Sequence, residues 1–251
     1  MLHLLAFGAS TPGVLTDSIL NAIPDPIFTR SNNRFQVPTP LKLLLGYAAS
    51  ISLTGARVNT ASLRLRGFPQ ITPTNITALP PSDPNVLDMR EWPLDLRPEE
   101  DIELDVTRVA GGGAENTYGG LWVCQNEPVY NINYRDLRWI RFTAAVTQVA
   151  FNWSAAATVA FQDTLEGGRY AIFGMQCNST STVFARLILQ NQVYRPGILG
   201  QTLVSSRSHE AFRGGLGLWG FFNTYSVPQI ESVGDAAGAE TIEGRMLIAK
   251  A

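Results

Sequence analysis

Lysine is nearly missing from this chain: Lys42 and Lys250 are the only two, so almost all positive charge is arginine. No block of basic residues stands at either end, and the formal net charge is −2. Direct nucleic-acid binding through a Lys/Arg-rich arm is therefore not expected, because phosphate contacts need clustered cations. Arginine's planar fork suits interfaces, where Arg is enriched and Lys depleted; GC-rich codon usage would leave the same trace. Charged residues make up 16% of the chain against 45% hydrophobic, short of the roughly 25% charge of an ordinary globular domain. The shortage implies that part of the surface is covered, and neighbouring copies of the chain are the simplest cover.

Cysteine is equally scarce. Cys124 and Cys177 are far apart in apolar, strand-like settings, which fits buried reduced thiols better than a disulfide scaffold; one bridge between them stays compatible with the sequence. No 18-residue apolar run occurs, and the apolar start Met1–Phe7 is too short to span a bilayer and has no positive n-region. The sequons at Asn75, Asn152 and Asn178 matter only in a secreted eukaryotic protein. His3 and His209 are the only histidines and have no partner spacing, which excludes the clustered histidines of a metal-binding cupin.

What is plentiful is turn chemistry and β patterning. With 22 glycines and 15 prolines, many short strands and many turns are expected. The best helix candidate is 10–23, where Ser10 or Thr11 caps, Pro12 suits the first turn, and Val14, Leu15, Ile19 and Ile23 fall near helical spacing. Residues 1–35 thus read as a short helical arm, free to tuck under its own domain, swap onto a neighbour or touch a membrane. Its weak positive charge ranks the membrane last. From residue 36 the period is two. Leu41–Ser52, Gly55–Val58 and Ser62–Arg66 read as strands, and the proline-rich stretch 70–98 as a long loop. Asp101–Val109 and Tyr118–Cys124 read as a hairpin around Gly111–Gly113. Trp139–Val146, Ala157–Phe161, Gly168–Met175, Thr182–Leu189, Gly217–Phe222 and Glu240–Ala249 follow as further strands.

Short blocks also repeat. Asn59-Thr-Ala-Ser-Leu-Arg resembles Asn178-Ser-Thr-Ser-Thr-Val, and Gly119-Gly-Leu-Trp-Val-Cys resembles Gly215-Leu-Gly-Leu-Trp-Gly in the same order. An internal duplication follows, with an arm at 1–35, a first β unit at 36–130 and a second at 131–251. Trp122 and Trp219, like Asn59 and Asn178, become repeat-equivalent positions, the tryptophans with a core-packing role.

Catalytic constellations are sparse, and an enzyme is not expected. Ser205, Ser206, Ser208 and His209 crowd together without a Gly-x-Ser-x-Gly elbow. Gly111–Gly113 opens no helix and makes no phosphate loop. Glu99, Glu100, Asp101, Glu103 and Asp105 form the one acidic cluster. Calcium at a subunit contact through Glu99, Glu100 and Asp101 is one reading, and a glycosidase carboxylate pair is another. The alternation of Asp101, Glu103 and Asp105 along one strand face is the usual pattern of a solvated face. No other cofactor is expected.

Gly168-Arg-Tyr-Ala-Ile-Phe-Gly-Met-Gln, Ala185-Arg-Leu-Ile-Leu, Arg195-Pro-Gly and Gly215-Leu-Gly-Leu-Trp-Gly-Phe-Phe resemble the second half of the double jelly-roll major capsid proteins of tailless bacterial viruses. Ala56-Arg-Val-Asn-Thr-Ala-Ser-Leu-Arg, followed by Pro69 and Pro73, resembles their first half. The resemblance implies an all-β chain of two tandem jelly-roll-like β-sandwiches, assembling as homotrimers into pseudo-hexagonal capsomers of an icosahedral shell. It also implies assembly in the host cytoplasm, other capsid or vertex proteins as partners, and in many cases an internal membrane facing the arm. The alternative is a carbohydrate- or receptor-binding β-sandwich, with Trp92, Tyr118, Tyr130 or Tyr134 as stacking platforms.

Overall fold

The computed structural model describes residues 1–11, 17–49, 53–60, 86–108, 114–126, 136–190, 192–201 and 216–251. Among these every regular element is a strand, as the period-two patterning predicts. The chain divides between Asn126 and Glu127 into two compact units, and Met1–Leu4 belong to the C-terminal one.

In chain order the N-terminal unit carries β1 (Leu2–Thr11), β2 (Asp17–Ile19), β3 (Asn21–Ala22), β4 (Thr29–Ser31), β5 (Arg34–Gln36) and β6 (Leu41–Ala49). It continues with β7 (Leu53–Thr60), β8 (Val86–Asp88), β9 (Leu94–Leu96), β10 (Asp101–Arg108) and β11 (Glu115–Cys124). One sheet runs β3–β1–β11–β6–β8, with β9 also on β6. The other runs β2–β10–β5–β4, with β7 along the free side of β10. Phe7 meets Phe35 edge-on at 5.0 Å, and Phe28 meets Phe35 at 6.0 Å. Trp122, Leu45 and Leu104 are fully or almost fully buried. Aromatic side chains with this much apolar area supply a large part of the drive to bury a core.

The C-terminal unit carries β12 (Arg138–Gln148), β13 (Ala157–Thr158), β14 (Ala160–Phe161), β15 (Arg169–Asn178) and β16 (Thr182–Ile188). Then come β17 (Gly197–Gln201), β18 (Gly220–Asn223), β19 (Gln229–Gly234) and β20 (Gly238–Lys250). They form one nine-stranded sheet, with eight strands in the path β13–β19–β16–β17–β15–β20–β12–β14 and β18 also on β15. β12 packs on β19 and β13 as well, so the path folds back on itself. Strict alternation decides which side of β12 is inside: Ile140, Phe142, Ala144 and Val146 are buried, while Trp139, Arg141, Ala145 and Thr147 face out.

Pairings repeat between the units. In each, the last strand lies between the first and a long early strand: β11 between β1 and β6, β20 between β12 and β15. β7 pairs β10 as β16 pairs β19, both antiparallel. β2 joins the β10 sheet and β3 the β1 sheet; β13 likewise joins β19, and β14 joins β12. The chain therefore crosses from one sheet to the other at the same point of each unit, at Leu20 and at Val159.

Three sequence expectations are corrected here. No helix forms over the described part of 10–23. Ser10 and Thr11 end β1, and Asp17–Ile19 and Asn21–Ala22 are strands. The buried side chains are Leu20, Ala22 and Ile23, whereas Ile19 of the expected helical stripe is exposed. The Leu20 N–H is held by the Leu104 carbonyl at 2.9 Å, so pairing with β10 overrides a weak local preference. Residues 1–35 accordingly supply β1 to β4 and the start of β5 rather than a helical arm.

β10 and β11 are not a hairpin: β10 pairs β7, β2 and β5, while β11 pairs β6 and lies beside β1, in a different sheet. The ladders with β7 and β6 extend over most of each strand and outweigh a local return. The described end of the 70–98 stretch is not wholly loop, because β8 and β9 both pair β6. Residues 61–85, including the Ser62–Arg66 strand expectation, lie outside the described residues.

Two glycines test the packing of the C-terminal unit. A Cβ on Gly200 would collide with the Thr182 backbone carbonyl, whereas one on Gly238 would meet nothing within 4 Å. Gly200→Ala is expected to lower the unfolding free energy by about 1–3 kcal/mol, and Gly238→Ala to change it by less than about 0.5 kcal/mol, both read from urea titrations. Equal effects would contradict the tight β16–β17 contact.

Candidate functional site

Four charged side chains of the N-terminal unit, Glu100, Glu103, Asp105 and Arg108, are buried inside it. The β10 acids do not form a solvated face: Glu103 and Asp105 are buried and Asp101 is half-buried. Arg34 pairs Glu103 and lies 3.6 Å from Asp101. Arg57 Nε donates to Asp105 at 3.0 Å, and the Asn59 amide donates to the same carboxylate. These partners come from β5 and β7, on the two sides of β10, so strand pairing itself brings cation to anion. The Arg108 side chain, buried, pairs half-buried Glu115 at 2.7 Å. Glu100 is buried and accepts the Arg97 N–H at 2.9 Å, while Glu99 is exposed with φ 64°. Glu99, Glu100 and Asp101 are not brought together as a cation cage: among the described residues no three His, Cys, Asp or Glu side chains cluster with metal-ligand geometry.

The C-terminal unit holds a second buried ionic group. Arg186, almost wholly buried, donates to Glu231 at 2.9 Å and stacks over the Trp153 ring at 3.8 Å. Arg195 Nη1 donates to both Glu231 oxygens, at 2.7 and 2.6 Å. The Arg195 backbone N–H donates to His3 Nδ1 at 2.9 Å, and its carbonyl accepts the Leu4 N–H at 3.0 Å. His3 is thus a buried packing residue whose ring nitrogen anchors the first residues to β16's neighbourhood. A hydroxyl cluster lies nearby in sequence. Gln148 donates to Thr182 and to Ser232, Ser179 bonds Thr182, and Ser181 donates to Gln148 and Glu240. Among the described residues these hydroxyls have no imidazole or lysine partner to activate them as nucleophiles.

The repeat-equivalent candidates divide by burial and by place. Trp122 and Trp219 are both fully buried core residues. Trp122 lies on the closing strand β11, whereas Trp219 precedes β18 and donates its backbone N–H to the Ile172 carbonyl at 2.8 Å. Asn59 sits on β7 and is buried; Asn178 ends β15 and is exposed. The two pairs therefore occupy different positions in the strand order.

Among the described stacking candidates only Trp92 presents its ring, with 83% of its surface exposed on the turn between β8 and β9. Tyr118 is 4% exposed, because β11 is buried along both faces, and offers no platform. Tyr130 and Tyr134 lie outside the described residues, as do Ser205, Ser206, Ser208, His209 and Gly111–Gly113. Sequence reasoning missed Tyr225, 93% exposed in the turn after β18, and the outward Trp139. Tyr225 follows Asn223-Thr224, a turn signal that could have found it.

No protein-family model matches the sequence, and no curated protein matches it. What the residues can do must be argued from their own geometry.

Removing one partner of a buried ion pair leaves the other charge uncompensated. Glu231→Gln strands Arg186 and is expected to cost about 3–5 kcal/mol of stability, whereas Trp92→Ala should stay within about 0.5 kcal/mol of wild type. Chemical denaturation checks both. Cys124 and Cys177 are buried and not joined in a disulfide, and burial pushes the Cys177 thiol up. Ellman's reagent should find no reactive thiol in the native protein and two in guanidinium; a fast-reacting native thiol would contradict that burial.

Proposed function

We propose that this chain is a structural coat protein, two jelly-roll units in tandem, that assembles with copies of itself into a virion shell. The observation that carries the reading is strand order. In the C-terminal unit, β13 and β14 count as one second strand shared between the sheets. One half of the path then runs first, last, third, sixth (β12–β20–β15–β18), and the other second, seventh, fourth, fifth (β13–β19–β16–β17). That is the order of a jelly roll, in which two Greek keys wrap one sandwich. The N-terminal unit supports the same reading with β1–β11–β6–β8 in one sheet and β2–β10–β7 in the other. The pairing β16–β17 has no counterpart among its described residues.

Two such units in one chain agree with the resemblance to double jelly-roll capsid proteins. The low charge agrees as well, since 16% charged residues against 45% hydrophobic leave a surface suited to contact with copies. In this reading the partners are two further copies in a trimeric capsomer, then neighbouring capsomers and vertex proteins, in a shell assembled in the host cytoplasm. A carbohydrate-binding β-sandwich is the second reading, favoured by the exposed indole of Trp92.

Light scattering coupled to size exclusion tests the choice. The coat reading expects a native mass of three chains or more, rising with concentration. A monomer at every concentration, with glycan binding that disappears in Trp92→Ala, would replace it with the second reading.

A further inference from the structure

The outer face of the sheet β12–β20–β15 carries three rungs of side chains set by register. Trp139, Leu247 and Gly174 face one another across the strands, then Arg141, Arg245 and Gln176, then Thr143, Glu243 and Asn178. Successive rungs are two residues apart, about 7 Å along the strand. Trp139 is 38% exposed and Arg141, Arg245 and Glu243 are exposed, because their strand neighbours Ile140, Phe142 and Ile242 take the core side. A hollow of about 550 Å³ lies over the second and third rungs, walled on one side by Gln162 and on the other by Gln176 and Asn178. A second hollow, of about 400 Å³, reaches Trp139 and shares Arg141 and Arg245 with the first.

Arg141 and Arg245 stand directly opposite each other, an arrangement that costs stability when both charges lack partners. Asp163 answers one of them: its carboxylate accepts the Arg141 N–H at 2.6 Å and the Arg141 guanidinium at 3.1 Å. Those bonds hold Asp163 below the usual carboxylate range. Arg245 has no hydrogen-bond or ion-pair partner for its side chain among the described residues. A guanidinium fork without an anion, beside a second guanidinium, is a receptor for a planar carboxylate.

We propose that this face binds an acidic saccharide, a chain of sugars bearing ring carboxylates. The carboxylate meets Arg245 and Arg141. One rung away the Trp139 indole stacks on the apolar face of the neighbouring ring. On the other side Thr143, Gln162, Gln176, Asn178 and Glu243 offer the mixed donors and acceptors that sugar hydroxyls need. The carboxylates of Glu243 and Asp163 stand in the same hollows and accept hydrogen bonds from sugar hydroxyls, donors that a polyphosphate backbone does not carry. The inference does not depend on the coat reading, and it uses none of the aromatic residues expected to stack from sequence.

Titration calorimetry with a galacturonic acid tetramer is the test, alongside its methyl ester, which keeps the sugars and removes the charge. Wild type should bind the acid at least tenfold more tightly than the ester. Arg245→Gln and Trp139→Ala should each weaken binding at least tenfold, with Trp139→Phe restoring part of it, while Trp92→Ala leaves it unchanged. Circular dichroism melting of each variant confirms the fold. Absence of binding by wild type, equal affinity for acid and ester, or unchanged affinity in both variants would each overturn the proposal. Loss of native mass in Arg245→Gln without saccharide binding would overturn it too, assigning the face to contact between copies.

Discussion

Each unit depends on one placement: its last strand goes between its first and a long early one. β20 is the longest strand of the C-terminal unit and carries a full ladder with β12 on one side, from Arg138↔Ile248 to Gln148↔Gly238, and with β15 on the other. β11 holds the same position between β1 and β6. The central strand of a sheet cannot be added until the chain before it has been made, so most of the pairing energy is non-local. Loop-closure entropy is met before the contacts that offset it form. The inward side chains Ile242, Met246 and Ile248 then complete a core that the first strands leave open. The outward ones, Glu243, Arg245 and Leu247, are positioned by the same ladder.

Charge is organised by the same pairing. Desolvating a carboxylate or guanidinium is tolerable only with a partner in place, and register supplies one. β10 lies with β5 and β7 on its two sides, so Glu103 meets Arg34 and Asp105 meets Arg57. In the other unit Arg186 and Glu231 face each other directly across β16 and β19. Mis-registering either pair of strands by one residue would turn these charges to the opposite face, so the ionic groups act against slipped pairings as well as within the correct one. On the outer face of β20 the ladder answers less: Arg245 meets Arg141 across it rather than an anion.

Most long strands were legible in the sequence, because alternation over eight or more residues has few other readings; ten-residue β1 was not, since Leu2–Gly8 are buried on both faces and show no alternation. β12, β15, β16 and β20 fall close to where the pattern puts them. Short strands were not. Asp17–Ile19, Val86–Asp88 and Leu94–Leu96 have three residues each, too few for a period, and their pairing partners are 40 or more residues away or across a sheet crossing. Hydrophobic spacing at Leu15, Ile19 and Ile23 imitated a helix because a strand that changes sheets also breaks strict alternation. The acids of β10 imitated a solvated face because alternation reports which side a residue is on, not whether that side is covered. Tyr118 misled for the same reason, and Trp92 did not, being held in a turn where nothing packs over it.

The two units are alike in their ladders more than in their letters. The matching words, Gly-Leu-Trp and Asn-Thr/Ser, fall at different places in the strand order, yet the order of pairing recurs down to the crossing at Leu20 and Val159. Core positions accept any apolar residue of suitable volume, so side chains can drift with small changes in stability. Connectivity cannot drift in that way. Exchanging two neighbouring strands would require unpairing both from the sheet at once, with every backbone donor and acceptor left without a partner on the way. The pattern of neighbours is therefore less free to change than the residues that fill it, and the likeness between the two units lies in the ladders rather than in the letters.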